Sequence, residues 1–550
     1  MGQKCTSPAA AMTSDGIDEI ADTSHHKTSR SNYVWIRNEP LSSTYSISRQ
    51  IGLGSMGEVS VVQKKTDSGS LRNLSQKDTS IVRTMSGTFG TAPPNVPPSS
   101  PTPPPPPTSP TSPISPNGST RQYACKTVAM LRMDSSQITE FKNEIEILRD
   151  LDHPSIVQLY ECFVSGHKIY LIMDLCGGGD IGERNLNEIQ GGEVMRQMFE
   201  ALQYLHLRNV AHRDLKLENV MFVNSYSLQI KLIDFGLSER YVKETKMKKA
   251  CGTIYTASPE VLTGNTYTTQ TDVWSAGVCL WCLLVNDVPF LKEMEDLQDQ
   301  EKVEKLKKAR YTFKDEKWKM VSKHGRELIS YCLRAHPGSR YTSKECLSHI
   351  NKVWLPSLQP QSSSPKKPQA KPTGRKRINS VMLRSFENFS TSSALKKKIL
   401  MTMAYTMDKA GLDDLNATFS DIDVNNEGTI SVQELRDAIR DKRTNMEDTE
   451  IENLFRGLDY DHSGQIHYKE FLAAAIESQN MITTERLLET FDRMDEDNSG
   501  TISRENLRNM LGKDWDGSIE EEMFQGKDSI DFDTFLKVVH TDSGSGVKEE

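Results

Sequence analysis

The sequence of 550 residues has no apolar run that approaches the roughly 20 residues of a membrane-spanning helix, which excludes that class of protein. Its nine cysteines are scattered, odd in number and without zinc-ligand spacing, so we interpret them as buried apolar residues of a reducing compartment, the cytosol. An excess of positive charge is also missing, because the formal net charge is -8. Nucleic acid is therefore not an expected partner.

Charged residues make up 26% and hydrophobic residues 36% of the chain, which is typical of soluble domains joined by polar linkers. At this length we expect several domains. Segments rich in proline, serine and basic residues run from about Lys65 to Arg121 and from about Gln359 to Lys376. We expect the first, an insertion, to be disordered, since it has too few large apolar residues to offset its ordering entropy. It either serves regulation through phosphoacceptors or prolines, or is a tolerated surface insertion.

An acidic loop occurs three times beyond the second segment, starting at Asp423, Asp459 and Asp495, 36 residues apart (459 minus 423, 495 minus 459). Apolar residues at helical spacing flank the loops, so the repeated unit is helix, loop, helix. Ca²⁺ takes about six to eight oxygens, and a twelve-residue loop supplies them around a central glycine. The predicted ligands are Asp423, Asn425, Glu427, Thr429 and Glu434 in loop one (423–434), Asp459, Asp461, Ser463, Gln465 and Glu470 in loop two (459–470), and Asp495, Asp497, Ser499 and Thr501 in loop three (495–506).

Positions nine and twelve complete the ligand set of each loop. Position nine is Ser431 in loop one and His467 in loop two. Loop three has Asn506 at position twelve, where an amide offers a single uncharged oxygen, so we expect it to bind Ca²⁺ more weakly. A degenerate fourth loop near 523–534 places residues that do not ligate calcium at positions one, three and five, and we expect only a structural mate there: Met523, Gln525 and Lys527.

The string IGLGSMGEV contains Gly52, Gly54 and Gly57 in the pattern G-x-G-x-x-G-x-V. Glycines let backbone approach phosphates closely, but the same pattern also opens dinucleotide-binding folds. Five further motifs follow in order: YACKTV with Lys126, FKNEIEIL with Glu144, HRDLKLEN at His212–Asn219, DFG at Asp234–Gly236, and SPE at Ser258–Glu260. Together they resemble the protein kinase family.

This resemblance implies a bilobal α+β fold, ATP and Mg²⁺ as cofactors, and protein serine or threonine as the phosphate acceptor. In that family Asp214 corresponds to the residue that accepts the proton of the substrate hydroxyl, and Lys216 to the residue that neutralises the transferred phosphoryl group. Asn219 and Asp234 correspond to the Mg²⁺ ligands. The implied nucleotide contacts are Ile51, Gly52, Gly54, Gly57, Val59, Ala124, Lys126, Glu144, Met173, Asp174, Cys176 and Asp180.

The kinase-like segment also carries individual features. Glu260 is expected to pair with Arg340. Lys249 stands where many kinases carry a phosphorylated threonine and cannot pair with Arg213 as a phosphate does, so control must come from elsewhere, with Thr245 as another site. Substrates with upstream basic residues are expected if Glu218 and Asp180 bind arginine; alternatively, Asp180 only contacts the ribose.

The first residues, MGQKCT, match the pattern for myristoylation of Gly2. A single myristoyl chain binds membranes only marginally, so palmitoylation of Cys5 is the expected second signal. These residues predict a cytoplasmic protein at the cytosolic face of a membrane, with the plasma membrane expected.

A basic junction lies between the two halves, where Leu395, Ile399 and Met403 share a helical face beside Lys396–Lys398. Such helices are targets of calcium sensors, or lie on membrane surfaces. The whole order looks like the calcium-dependent protein kinases of plants and apicomplexan-type protists. The expected divisions are an acylated, mostly disordered segment (1–44), a kinase domain (45–355), a linker (356–378), a junction helix (379–408), an all-α, EF-hand, calmodulin-like sensor (409–540) and a tail (541–550).

By that resemblance the junction helix inhibits the catalytic cleft at resting calcium, and the loaded sensor captures or repositions it. We expect a monomer that acts on protein substrates. Two rival hypotheses are a calcium-responsive scaffold without phosphotransfer, and a kinase controlled by separate calmodulin. Intact Lys126, Asp214, Asn219 and Asp234 argue against the scaffold, because phosphotransfer needs those groups.

Overall fold

The protein is described from a computed structural model, which covers residues 34–54, 57–65, 121–241, 247, 249, 251–290, 299–359, 378–407, 412–440, 446–479, 481–495, 497, 499–511, 523–524 and 526–541. Among the helices of these residues, none combines the length and apolar character that crossing a bilayer requires. The expected α+β bilobal domain followed by a helical calcium-sensor domain is confirmed.

The N-terminal lobe is built on a six-stranded sheet in the order β1-β5-β6-β4-β3-β2, in which only β1 and β5 are parallel. Apolar side chains such as Val62, Cys125 and Ile172 cover its buried face. The strands are β1 (Trp35–Arg37), β2 (Tyr45–Gly54), β3 (Gly57–Lys64), β4 (Gln122–Ala129), β5 (Leu159–Ser165) and β6 (Lys168–Met173). A short helix, α1 (Leu41–Thr44), precedes β2, and the long helix α2 (Ser135–Asp150) follows β4.

The C-terminal lobe is mainly helical around one apolar core, with Trp274 and Trp354 among its largest fully buried side chains. Its helices are α3 (Glu188–Leu207), α4 (Pro259–Leu262), α5 (Gln270–Val285), α6 (Asp299–Lys308), α7 (Lys323–Cys332), α8 (Ser343–His349) and α9 (Leu355–Leu358). Its short strands form the pairs β7 (Val210–Ala211) with β10 (Glu239–Arg240), and β8 (Val220–Phe222) with β9 (Ile230–Leu232). These short strands bring the HRD and DFG segments to the face beneath the sheet.

The sensor consists of helix-loop-helix units whose loops pair through short strands, β11 (Thr429–Ile430) with β12 (Ile466–His467) and β13 (Ile502–Ser503) with β14 (Ser529–Ile530). Ile502 of loop three lies opposite Ile530, so the degenerate fourth loop pairs with the third. The sensor helices are α12 (Asp413–Ile422), α13 (Val432–Arg440), α14 (Asp448–Leu458), α15 (Tyr468–Ala475), α16 (Thr484–Met494), α17 (Arg504–Leu511) and α18 (Phe532–Thr541).

The junction corrects one expectation. It is two helices, α10 (Ser380–Thr391) and α11 (Ala394–Thr406), rather than one. Ser392 is extended and the side chain of Ser393 accepts a hydrogen bond from the backbone N–H of Lys396, so this serine pair ends one helix and caps the next. Helix α11, read from the sequence as a target of the sensor or as a membrane-surface helix, is buried on nearly every side within the apolar core of the sensor.

Candidate active site and calcium loops

The cleft between the lobes contains a buried ion pair that joins the sheet to helix α2. Lys126 Nζ lies 2.6 Å from Glu144 Oε1 and 3.2 Å from Asp234 Oδ1. Burial by itself lowers the pKa of Lys126, but the two carboxylates outweigh it and hold that pKa above its ordinary value. The lysine therefore keeps its positive charge at the position where the family contacts nucleotide phosphates.

Asp272 of α5 fixes the backbone of the HRD segment through hydrogen bonds. Its carboxylate accepts hydrogen bonds from the backbone N–H groups of His212 (3.0 Å) and Arg213 (2.9 Å) and contacts His206 Nε2 at 3.0 Å. Burial by itself raises the pKa of Asp272, but these hydrogen bonds hold it below its ordinary value. Asp272 is thus a fixed anion, and it supports Arg213 in a left-handed conformation with φ of 69°.

Asp214 is the centre of a hydrogen-bond network. Its carboxylate accepts from Asn219 Nδ2 (3.1 Å), from Lys216 Nζ (3.0 Å) and from the backbone N–H of Thr253 (3.1 Å). Asp214, Lys216 and Asn219 are therefore brought together, as the sequence predicted for residues of one reaction. Thr253, in the activation segment, was missed because it belongs to none of the motifs.

The predicted Mg²⁺ ligands fit a hard cation. Asp234 and Asn219 supply a carboxylate and an amide, whose oxygens are the ligands that Mg²⁺ prefers. Asp234 adopts a left-handed conformation with φ of 57°, and the following Phe235 packs against His212 with ring centroids 4.9 Å apart. This packing fixes the backbone that presents Asp234 to the cleft.

The glycine-rich hairpin formed by β2 and β3 shows two uses of glycine. A Cβ at Gly57 would lie 2.0 Å from the carbonyl oxygen of Thr127, so β4 leaves no room for a side chain there. A Cβ at Gly52 would meet nothing within 4 Å, which leaves open space beside the backbone. Gly52 pairs with Val59, and Val59 with Lys126, so the hairpin lies beside the buried lysine.

The predicted hinge follows β6, whose Met173 lies opposite Ala124 of β4. The carboxylate of Asp174 accepts hydrogen bonds from Tyr160 Oη at 2.5 Å and the backbone N–H of Gln158 at 2.9 Å. It is therefore used within the protein, and any contact of Asp174 with adenine falls to its backbone. Tyr160 carries no motif signal and was missed.

The remaining residues that were predicted to contact the nucleotide or the substrate differ in their exposure and hydrogen bonding. Ile51 is 44% exposed, and Cys176 is half-buried. Asp180 Oδ1 accepts hydrogen bonds from the backbone N–H groups of Gly182 (2.8 Å) and Glu183 (3.2 Å), so its carboxylate stabilises the turn after the hinge. Glu218 is exposed.

The activation segment has a built-in counter-charge. Arg213 Nη1 contacts the carboxylate of Glu239 and lies 3.1 Å from Tyr267 Oη, while Lys249 contacts Glu140 of α2. Glu239 thus neutralises the arginine that a phosphate neutralises in many kinases. Sequence reasoning identified the missing phosphate but not this acidic replacement.

Loops one and two have matching geometry. In loop one the two oxygens of Glu434 accept from the backbone N–H groups of Asn425 and Ser431, each at 3.0 Å. In loop two Glu470 accepts from Asp461 at 3.0 Å and His467 at 2.7 Å. Both carboxylates are therefore aimed into their loops as position-twelve ligands require.

Crowding of these carboxylates changes their pKa values. Burial, aided by Asp461, raises the pKa of Glu470 to about 8. Burial, aided by Glu434, raises the pKa of Asp423 well above its ordinary value. Without a cation such groups resist losing their protons, and a bound divalent ion offsets the repulsion. This electrostatic state suits a cation site.

Loop three is weaker at its last ligand. Asn506 Oδ1 accepts from the backbone N–H of Ser503 at 2.9 Å and from its hydroxyl at 2.8 Å. This single oxygen occupies the role of one oxygen of Glu434 or Glu470, and the amide nitrogen cannot replace the other. The weaker Ca²⁺ binding expected for loop three remains a prediction, and the missing second oxygen at position twelve is its structural reason.

The sensor docks on the kinase domain by contacts that the sequence did not reveal. Arg493 of α16 lies 2.7 Å from Glu161 of β5, with both side chains buried. The backbone N–H of Lys469, in loop two's helix, donates to Asp152 at 2.9 Å. Loop one is attached as well, because Gln203 of α3 donates to the carbonyl of Asn425 at 2.7 Å. Both strong loops are therefore in direct contact with the kinase domain.

Some predicted sites lie outside the described residues. They are Gly2 and Cys5, Thr245, Gln525, residues 66–120 of the insertion and residues 360–377 of the linker.

Comparison with known proteins agrees with both halves. Residues 114–351 match the protein kinase domain family, residues 412–476 an EF-hand domain pair and residues 488–511 an EF hand. The chain is 32% identical to calcium-dependent protein kinase 3 of Plasmodium berghei over 71% of this chain and 68% of that one. It is 29% identical to calcium-dependent protein kinase 5 of Plasmodium falciparum (75% and 71% covered) and 29% identical to calcium-dependent protein kinase 7 of Arabidopsis thaliana (73% of each).

Proposed function

The chain belongs to the calcium-dependent protein kinases, and we propose that Ca²⁺ bound by its own loops one and two frees the catalytic cleft from the junction helices α10 and α11. At resting calcium the basic junction blocks the cleft. In the loaded state the sensor holds both helices and docks on the kinase domain.

The observation that carries this proposal is that all three junction lysines contact residues of the sensor. Lys396 lies 3.2 Å from Glu477, Lys397 donates to the carbonyl of Gly457 at 3.1 Å, and Lys398 lies over the ring of Tyr460 at 6.0 Å. Every one of these charges has a partner in the sensor. A helix held this way has no basic face left for a cleft or for a membrane surface.

The cleft has the arrangement that phosphotransfer needs while the junction is held. ATP with Mg²⁺ would supply the phosphoryl group. Lys126 and Asp234 come from opposite lobes and lie 3.2 Å apart, and they would hold the phosphates and the metal ion. Asp214 accepts the proton of the substrate hydroxyl, and Lys216 stabilises charge on the transferred group. Glu239 neutralises the charge of Arg213, so this arrangement does not depend on a phosphorylated residue at the position that Lys249 occupies.

We assign serine and threonine side chains of proteins as the substrates, with basic residues upstream of the target. Exposed Glu218 supports the second part, because a carboxylate in this segment suits an arginine side chain. Peptides that carry arginine upstream of serine should be phosphorylated faster than peptides with glutamate there. Equal phosphorylation rates for the two kinds of peptide would contradict the preference for upstream basic residues and leave only the assignment of serine and threonine as acceptors.

We also propose that the protein lies at the cytosolic face of a membrane, where acylation of Gly2 anchors it. The variant G2A should move to the soluble fraction of cells, because it cannot accept myristate. Unchanged membrane association of G2A would contradict acylation as the anchor.

The decisive experiment measures phosphotransfer by the purified chain against free Ca²⁺, with no other protein added. We expect activation at about 10⁻⁷ to 10⁻⁵ M, the range of sensor loops. The double variant E434Q/E470Q should lose that activation. A flat response of the parent would refute the switch, and activation of the parent only after calmodulin is added would support control by separate calmodulin instead.

A further inference from the structure

Position nine distinguishes loop two from its neighbours. Loops one and three have serine there, Ser431 and Ser503, whereas loop two has His467. The imidazole is not turned away to solvent, since His467 is only 5% exposed. Its Nε2 lies 3.1 Å from the hydroxyl of Ser463 at position five and 4.0 Å from a carboxylate oxygen of Asp461 at position three. A nitrogen ligand therefore faces a cluster of oxygen ligands.

Three of these groups form a compact set. One ligand atom from each of Asp461, His467 and Glu470 lies within 4.8 Å of the others. Zn²⁺ binds nitrogen and oxygen at about 2.0–2.2 Å, which places tetrahedral ligand atoms about 3.3–3.6 Å apart. Closing the set onto one ion needs only small side-chain movements. We propose that loop two also binds Zn²⁺, through Asp461, His467 and Glu470, in competition with Ca²⁺.

The chemistry of the two ions separates their demands on the loop. Ca²⁺ takes about six to eight oxygens in an adaptable shell. An imidazole at position nine cannot supply the oxygen that serine or its bridging water supplies in loops one and three. Zn²⁺ favours imidazole and four ligands, and it would bind the Nε2 lone pair of the neutral tautomer that carries its proton on Nδ1. A fourth ligand, water or Asp459, completes the site.

The position of the site gives the competition a consequence. Lys469 lies between His467 and Glu470, and its backbone N–H donates to Asp152 of the kinase domain at 2.9 Å. An ion that draws in His467 and Glu470 acts on the residues that flank this contact. Zinc binding itself does not depend on the calcium switch, whereas antagonism of activation by Zn²⁺ rests on the proposed function.

The test measures Zn²⁺ binding to the full chain by calorimetry, with Mg²⁺ present and Ca²⁺ absent, for the parent and for H467S. Serine is the residue of the neighbouring loops, so H467S should still bind Ca²⁺ at loop two. Its Zn²⁺ affinity should fall by at least about tenfold, the smallest loss typical of disturbing a metal ligand's support. Added Ca²⁺ should displace Zn²⁺ from the parent.

A second described cluster supplies the control. His324, Glu327 and His349 on α7 and α8 are also close enough to share an ion. The variant H349Q should keep the loop-two Zn²⁺ affinity. Equal Zn²⁺ binding by the parent and H467S, or none by the parent, would overturn the proposal.

If H467S also loses Ca²⁺ binding, the reverse exchange decides. S431H places imidazole at position nine of loop one and should add a second Zn²⁺ equivalent, and no gain then counts against the proposal. Kinase activity against Ca²⁺, with and without Zn²⁺, is measured separately. Binding without antagonism would leave the zinc site standing and count only against its link to the switch.

Discussion

At the scale of single residues, the catalytic side chains depend on neighbours that carry no motif. Thr253 and Asn219 fix the carboxylate of Asp214, and Asp272 fixes the backbone just before it. Tyr160 donates a hydrogen bond to the side chain of Asp174 in the hinge. The motifs thus identify which groups react, and these neighbours determine where the groups point.

Replacing Asp214 by asparagine tests its assigned role. D214N keeps an oxygen that can accept from Thr253 but cannot take up the substrate proton. We expect kcat to fall by about 10²–10⁴-fold, the usual contribution of a general base. The thermal unfolding midpoint of the same variant is the control for folding. A D214N enzyme with kcat close to the parent would show that another group accepts the proton.

Replacing Arg340 tests a buried ion pair. Its guanidinium donates to both oxygens of Glu260, at 2.6 and 2.7 Å, which confirms the pairing expected from the sequence. R340M leaves the buried carboxylate without its cation, so the free energy of unfolding should fall by about 3–5 kcal/mol in urea denaturation.

The matched control for that variant is an exposed pair. Lys319 and Glu316 lie 2.7 Å apart, with 69% and 84% of their side-chain surfaces exposed. K319M should change the free energy of unfolding by less than about 1 kcal/mol. Similar losses for R340M and K319M would contradict the view that burial sets the cost.

At the scale of elements, helix α2 positions Glu144 through its N-terminal cap and its buried face. It starts with a capping box, in which Asp134 accepts from the N–H of Gln137 at 2.9 Å and Gln137 accepts from the N–H of Asp134 at 3.0 Å. Its buried face includes Phe141 and Ile145. Cap and apolar face together set the rotation that presents Glu144 to Lys126.

Removing the cap tests that contribution. D134A leaves N–H groups of the first turn without an acceptor, so we expect the free energy of unfolding to fall by about 0.5–2 kcal/mol. D134S keeps an acceptor and should recover most of the loss. Guanidinium denaturation of the three proteins measures both changes. Equal stability of D134A and the parent would mean that packing alone holds the start of α2.

At the scale of the whole molecule, the sensor and the kinase domain are joined by buried polar contacts. Arg493 donates to Glu161 at 2.7 Å and to the carbonyl of Tyr160 at 2.8 Å, and Glu161 also lies 3.7 Å from Arg37 of β1. Nearby, Arg121 bridges Tyr160 at 2.9 Å and the carbonyl of Met407, the last junction residue described, at 3.2 Å. The junction, the sensor and strand β5 thus meet in one place.

Replacing Arg493 tests whether this docking matters for calcium control. R493A leaves buried Glu161 underpaired and should weaken docking by about 2–5 kcal/mol. Calcium activation should then need more Ca²⁺ or be lost, while amide exchange in β5 increases. R436A, which removes a half-buried arginine that pairs with Asp448 and Glu452 inside the sensor and makes no part of the docking contact, is the control. Coincident calcium curves for R493A and the parent would contradict a role for docking.

The sequence by itself determined the family, the fold class and most of the candidate site. Catalytic motifs and calcium loops are contiguous segments in which residue type and spacing are set by local chemistry, so Asp214 and Glu470 are recognisable without a structure. The start of α11 was partly readable too, since Ser393 is a strong capping residue, but the expected single junction helix ignored that signal.

Only the tertiary structure decided how the two halves meet. Arg493 and Glu161 are 332 residues apart, and Lys469 and Asp152 are 317 apart. Neither pair has a periodicity or motif that marks it, because such contacts depend on the packing of whole domains and not on local spacing. The burial of Lys396 and Lys398 was hidden for the same reason: charged residues predict solvent until the structure supplies Glu477 and Tyr460 as their partners.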